Sequence, residues 1–122
     1  MSRRGPLRAW LKLDSGMHRV GLAPDTFTAA DATLSRHEGI TELIHMTHFS
    51  SADHSTSVLM DQQLRCFHEC RSLHSRAKSS LANSAALISR ADTHGDWVRP
   101  GVMLISQAVQ SDANAAEALT FF

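Results

Sequence analysis

The stretch WLKLDSGMHRVG, running from Trp10 to Gly21, decides how the rest of the chain is read. It begins as an apolar run and then breaks into a knot of polar groups. Lys12, Asp14, His18 and Arg19 crowd around Gly16 and Met17. A buried strand that delivers functional groups where it ends belongs to a parallel α/β sheet, in which ligands gather at the carboxyl ends of the strands.

The flanking sequence supports that reading. Residues Ala9 to Leu13 read as a short strand closed by Asp14, Ser15 and Gly16. The segment APDTFTAADATLSRHEG follows, with Asp25 as a candidate helix cap, Phe27, Ala30 and Leu34 on one face, and Gly39 as a stop. ITELIHMTHF reads as a second strand and Ser50 to Ser57 as a polar loop. From about Ser57 to Arg76 the stripe Met60, Leu64, Phe67, Cys70 and Leu73 predicts a helix. SSLANSAALIS reads as a strand, a turn at Asn83 and Ser84, and the start of a helix. DWVRPGVMLIS reads as a fourth strand broken by Pro100 and Gly101. Alternating strands and helices of this length imply parallel strands joined by right-handed crossovers. The expected fold is α/β: four βα units, a small open sheet or half of an eight-stranded barrel.

Composition bounds the function. The 122 residues suit one small domain, and the net charge of zero gives no field that would draw the chain to nucleic acid. No apolar run approaches the ~18 residues of a membrane span, and no signal-type apolar segment follows Arg3, Arg4 and Arg8. A cytoplasmic location is the expectation. Two cysteines make no disulfide framework. There is no tyrosine, and the only lysines are Lys12 and Lys78.

Polar groups recur where each predicted strand ends: Asp14, His18 and Arg19; Thr47 and His48; Asn83 and Ser84; Arg99 and Gly101. One such cluster is ordinarily a capped loop, but four at the same edge favour a shared site. Ser84 opens a helix and Gly101-Val102 offers bare N–H groups, the arrangement that binds phosphate. Arg19 and Arg99 can hold anionic or ring-nitrogen acceptors through a planar fork. The implied ligand carries a phosphate and several acceptors.

These same segments, WLKLDSGMHRVG, HMTHFSSAD, LANSAAL and VRPGVML, resemble consecutive motifs of the alanine racemases, pyridoxal-phosphate enzymes of the type III fold. The resemblance runs from about Trp10 to Leu104, in the family's order. It implies the second half of a (β/α)8 barrel over residues 10–106, after an irregular segment at 1–9. It also implies that residues 107–122 are a tail leading toward a carboxyl-terminal β-domain. By position, Arg19 resembles the arginine near the cofactor's phenolic oxygen and the substrate carboxylate. Lys12 resembles a lysine that is carbamylated in some members and steadies that arginine. His48 resembles the histidine that joins the arginine under the cofactor ring to the hydrogen-bond network. Asn83 resembles a neighbour of the cofactor, and Ser84, Gly101 and Val102 resemble its phosphate cradle. Arg99 resembles the arginine facing the pyridine nitrogen. A guanidinium does not hand over its proton, so the ring stays a weaker electron sink and side reactions such as transamination are suppressed.

The family's reaction interconverts L- and D-alanine with two opposed bases, the Schiff-base lysine and a tyrosine from a partner subunit, and supplies D-alanine to the bacterial cell wall. No segment here resembles the lysine motif, and tyrosine is absent. After VRPGVML the family usually continues tyrosine–glycine; here Ile105 and Ser106 follow. A fragment that does not racemise alanine by itself is therefore expected, along with dimerisation or association through exposed barrel edges. The alternatives are a non-catalytic half-barrel interaction module or a remnant of another type III pyridoxal-phosphate protein, such as a cofactor carrier or a decarboxylase.

A metal reading fits less well. Cys66, Cys70 and His74 share one helix side, but Cys66 and Cys70 lie on or beside the apolar stripe, where thiols act as small hydrophobes. His45 and His48 point to opposite strand faces. His54, beside Asp53, reads as a solvated loop residue; Met46, Met60 and Met103 read as packing. Lys78, Arg65, Arg71 and Arg76 read as a solvated helix face. No metal is expected.

Overall fold

Four strands, each followed by a helix, account for the computed structural model, which describes residues 5–52, 58–71 and 76–105. The order is β1 (Leu7–Lys12), α1 (Pro24–Leu34), β2 (Ile40–Met46), α2 (Val58–Arg71), β3 (Lys78–Asn83), α3 (Ser84–Ser89), a 3-10 turn (Ala91–Thr93), β4 (Trp97–Arg99) and α4 (Gly101–Ile105). The strands lie in sequence order, and every neighbouring pair is parallel.

Strand alternation divides the sheet into two faces. Leu11 and Leu13 join Phe27 of α1, Met60 and Phe67 of α2, and Leu81, Ala82 and Ala86 in one buried core. On the opposite face Arg8 and Trp10 of β1 sit beside Glu42 and Ile44 of β2. There Arg8 and Lys78 both pair with Glu42, and the Trp10 and Trp97 rings meet edge to face at 5.9 Å. These rings belong to the two outer strands, about 14 Å apart at the usual spacing. Their contact fits a sheet curled toward this face, as in a barrel wall.

Beneath the sheet α1 is pinned by a buried pair that its apolar pattern does not announce. Asp31 Oδ1 lies 2.9 Å from His45 Nε2, and Phe27 packs edge to face on the His45 ring.

Several boundaries differ from the sequence expectations. β1 starts at Leu7, inside the segment expected to be irregular, because Leu7 N donates to Gly39 O and Arg8 pairs with Glu42. Asp25 does not cap α1; Ala23 is the N-cap, Pro24 opens the helix and Asp25 sits in the first turn. α1 ends at Leu34, well before Gly39. β4 is only three residues long, and Gly101–Ile105 is helix rather than continued strand. Pro100 has no N–H for a ladder, and Met103 N donates instead to Ser84 Oγ at 3.0 Å. Lys78 opens a strand, and Arg71 Nη2 donates to Ala77 O at 2.6 Å, so neither belongs to a freely solvated helix face. Leu73, His74, Asp53, His54 and the tail at 107–122 lie outside the described residues.

Candidate functional site

The rim at the carboxyl ends of the strands is built first from the loop after β1. Asp14 Oδ1 accepts from Gly16 N at 3.1 Å and His18 N at 3.0 Å, and Oδ2 faces His18 Nδ1 at 3.1 Å. The His18 amide, with help from Gly16 and the His18 ring, holds the Asp14 carboxyl below its ordinary range. The loop is closed by Asp14 N to Leu22 O and Leu22 N to Lys12 O, both 2.8 Å. Gly21 makes this closure possible. Its φ is +150°, and a Cβ there would stand 2.7 Å from Asp14 N. Arg19 is thereby carried on a short, tied, exposed loop.

The second part follows β2. Thr47 N donates to Ser80 O at 3.2 Å, and its hydroxyl donates to Leu13 O at 3.0 Å. The same hydroxyl accepts from Ser15 at 2.6 Å, so one threonine ties β1, its loop, β2 and β3. The next residue, His48, is half-buried. Its backbone is held by Gln63 of α2, whose Nε2 donates to His48 O at 3.2 Å and whose Oε1 accepts from Ser50 N at 3.1 Å.

The third part is Arg99 at the end of β4. Its Nη2 donates to Thr47 O at 2.5 Å and Leu81 O at 3.1 Å. That anchors the guanidinium across β2 and β3, while Nη1 is buried without a hydrogen-bond partner among the described residues. Burial lowers the Arg99 pKa.

Lys12, Arg19, His48 and Arg99 act on one another electrostatically. Burial, then Arg19 and Arg99, lowers the Lys12 pKa, against a smaller upward pull from Asp14. Burial, then Arg99, Lys12 and Arg19, lowers the His48 pKa. Four groups that carry or can carry positive charge therefore share one place, a destabilising arrangement that an anion relieves.

Beside them lies the junction of α3 and α4. Asn83 caps α3, its Oδ1 accepting from Ala86 N at 3.0 Å, and its Nδ2 reaches Phe49 O at 3.4 Å. Asn83 thus carries structural bonds at the place where the sequence suggests a ligand contact. Ser84 is buried and accepts from Met103 N, which leaves its hydroxyl hydrogen free to donate. Gly101 faces open space where a Cβ would stand, and Val102 is half exposed.

All eight sequence-predicted residues thus fall into two adjoining groups. Lys12, Arg19, His48 and Arg99 form the cationic one; Asn83, Ser84, Gly101 and Val102 form the helix-start one. Gln63 escaped sequence reading, and Thr47 was read only as a polar strand end, without its tying role. Thr47 neighbours His48 in HMTHF and offered that signal; Gln63 sits inside an amphipathic helix and offered none.

Elsewhere, no group of three or more His, Cys, Asp or Glu among the described residues is placed to hold a metal ion. Cys66 and Cys70 pack against the core, and burial with the neighbouring Cys66 thiol pushes Cys70 up to about 11, a poor metal-binding or nucleophilic state. His45 faces α1 and His48 faces the rim, so the two do not share a site. No described helix is long and apolar enough to cross a membrane.

The description "Alanine racemase, N-terminal domain" belongs to the family model that matches residues 2–108. The biosynthetic alanine racemase of Pseudomonas aeruginosa is 45% identical over 112 residues, covering 92% of this chain and 31% of that protein. The alanine racemase of Chromohalobacter salexigens is 43% identical over 114 residues, covering 93% and 31%. The crystal structure of the Pseudomonas aeruginosa biosynthetic enzyme superposes with a TM-score of 0.83 at 44% identity, over 93% of this chain and 32% of that one. The structure of alanine racemase from Acinetobacter baumannii gives 0.74 at 34% identity, over 80% and 28%. The chain spans about a third of the length of the curated relatives it matches.

Proposed function

Because the chain belongs to the alanine racemase N-terminal domain family, we propose that its strand-end rim is the cofactor- and substrate-holding side of an alanine racemase site. The reaction is the interconversion of L- and D-alanine, with pyridoxal phosphate as cofactor, in the cytoplasm, for D-alanine supply to peptidoglycan. The observation that carries this is the convergence of Lys12, Arg19, His48 and Arg99 beside the Ser84–Gly101 junction. The donor set fits the cofactor: a serine hydroxyl and exposed helix-start amides for the phosphate, and a guanidinium with one unpartnered nitrogen for the ring nitrogen.

When bound, pyridoxal phosphate would supply the electron sink for removal of the α-proton. The chain's residues do the rest. Ser84, with the Gly101 and Val102 N–H groups, holds the phosphate, and Asn83 fixes the turn that presents Ser84. Arg99, braced by two carbonyls, keeps its proton and orients the ring. Arg19 binds the alanine carboxylate. Lys12 steadies Arg19; its lowered pKa enlarges the neutral-amine fraction open to carbamylation, which would neutralise part of the cationic cluster. His48 joins the ring side to the hydrogen-bond network. The two bases that move the α-proton are not among these residues. Without a tyrosine, the isolated chain is expected not to racemise alanine.

The test is a titration of the chain with pyridoxal phosphate, followed by its absorbance. A saturable change is expected, weakened at least ~10-fold by Ser84→Ala and by Arg99→Leu, about 1.4 kcal/mol each. A linear, unsaturable change, or one indifferent to both variants, overturns the reading. Exchange of the alanine α-hydrogen with solvent deuterium, lost on Arg99→Leu, would overturn the expected inactivity.

A second reading, association through the open barrel face, has its own support. Trp10 is 42% exposed and Trp97 37% on the face that carries no described helix. Two copies, or a chain supplying the other strands, would cover it.

A further inference from the structure

Gln63 is fully buried on α2, yet the hydrogen bonds of its amide run to the rim backbone rather than to its own helix. Nε2 donates to His48 O at 3.2 Å, while Oε1 accepts from Ser50 N at 3.1 Å and from Ser50 Oγ at 3.3 Å. One planar amide therefore brackets the backbone on both sides of Phe49, whose own side chain is buried in the core. Its stem reaches a second loop. The position a Cβ would take on Gly16 lies 3.2 Å from Gln63 Cγ, so the loop that carries Arg19 rests on the same side chain. A buried amide placed where leucine would pack costs desolvation unless its bonds are made, so its presence favours a role in fixing these loops.

We propose that Gln63 is a positioning residue: it sets the backbone from which His48 faces the cationic rim and, through Gly16, the loop that bears Arg19. This rests on the reading of the rim as the ligand site, but its test needs no ligand. Among the described residues, the charged groups facing His48 are Arg99 from β4, Lys12 from β1 and Arg19 from the loop after β1. Gln63, the contact from α2, is neutral. A His48 released from its bracket moves toward water and away from these cations, and both changes raise its pKa.

The experiment is an NMR titration of the full chain with ring-labelled histidine, the His48 signal being identified by its loss in His48→Asn. In the unaltered chain His48 should titrate below 6.5. In Gln63→Met, which preserves bulk, it should titrate higher by about half a pH unit or more. Loss of stability alone would not move one histidine selectively. Gln63→Asn, which keeps an amide one methylene too short for both partners, carries the same expectation where Gln63→Met does not fold. An unchanged His48 titration in a folded variant overturns the proposal. So does failure of both variants to melt cooperatively, which would make Gln63 purely structural. Failure of pyridoxal phosphate to bind the unaltered chain would instead sink the proposed function and leave this result standing.

Discussion

The side chains at the rim oppose the fold that assembles them. Lys12 is held below its ordinary 10.5 by burial first and then by Arg19 and Arg99. The unfolded chain binds that proton more tightly, so stability rises with pH between the folded value and 10.5 and carries the full penalty below that window. Lys12→Met is therefore expected to stabilise the chain at neutral pH by up to about 1 kcal/mol, a gain that shrinks toward pH 10.5. Urea midpoints at the two pH values read it; a loss of stability at pH 7 would show that Lys12 makes a net favourable contact. His48 behaves alike in its own range. Its folded pKa lies below 6.5, so stability falls as pH drops from 6.5 to the folded value, and His48→Asn should flatten that fall. An anion that neutralises the cluster opposes the part of both shifts that the neighbouring cations cause. Inorganic phosphate should raise the His48 pKa, measured by the same NMR titration, and no change would mean that phosphate binds elsewhere or not at all. That the eight proposed residues lie together at one rim was legible in the sequence, because the ends of strands in a parallel sheet gather at one edge. The charge conflict among them was not, since it depends on Arg99 reaching across two strands to Thr47 O.

Elements explain where reading the sequence fell short. VRPGVML looks like strand because Val98, Val102, Met103 and Leu104 are apolar and partly β-branched. A tertiary bond overrides that bias: Ser84, at the start of α3, accepts from Met103 N and latches α4 to α3. Nothing local to either segment encodes this. Ser84→Ala should unlatch α4 and cost about 0.5–1.5 kcal/mol, the usual net value of one hydrogen bond, read as a lowered Tm. The β2–α1 junction shows the converse. The stripe of Phe27, Ala30 and Leu34 predicts the buried face of α1 correctly, yet Asp31 is buried in that face too, because His45 meets it from β2. A polar residue within an apolar stripe gives no sign of a partner fourteen positions away. Asp31→Ala should cost about 1–3 kcal/mol by breaking this buried bond. Equal stability of the variant and the parent in urea would show that the pair contributes nothing net. Gly21 marks the third junction, where a φ of +150° lets β1's loop close on Leu22.

At the scale of the whole molecule, the described residues cover the two sheet faces unequally. A parallel sheet is ordinarily covered on both sides, because crossover helices pack on its faces or because it closes into a barrel. Here α1, α2 and α3 fill one side with Phe27, Met60, Phe67 and Ala86. The other side presents Arg8, Glu42 and Lys78 as an ion-paired patch and the two indole rings above it, with Arg8 also over the Trp97 ring at 5.4 Å. The chain's only two tryptophans both lie on this face, so their emission reports its covering selectively. Association through the face would transfer both indoles from partial exposure to an apolar or protein environment, and their emission should move to shorter wavelength as concentration rises, in step with the mass from light scattering. Trp97→Lys would place a further charge beside Arg8 and should suppress both signals together. A mass that grows while the emission stays fixed would place the contact on the helical face or at the strand edges instead. A mass that stays at 13.4 kDa with a cooperative melt would show that Glu42, bridging Arg8 and Lys78, and the edge-to-face indoles suffice to hold this face in water.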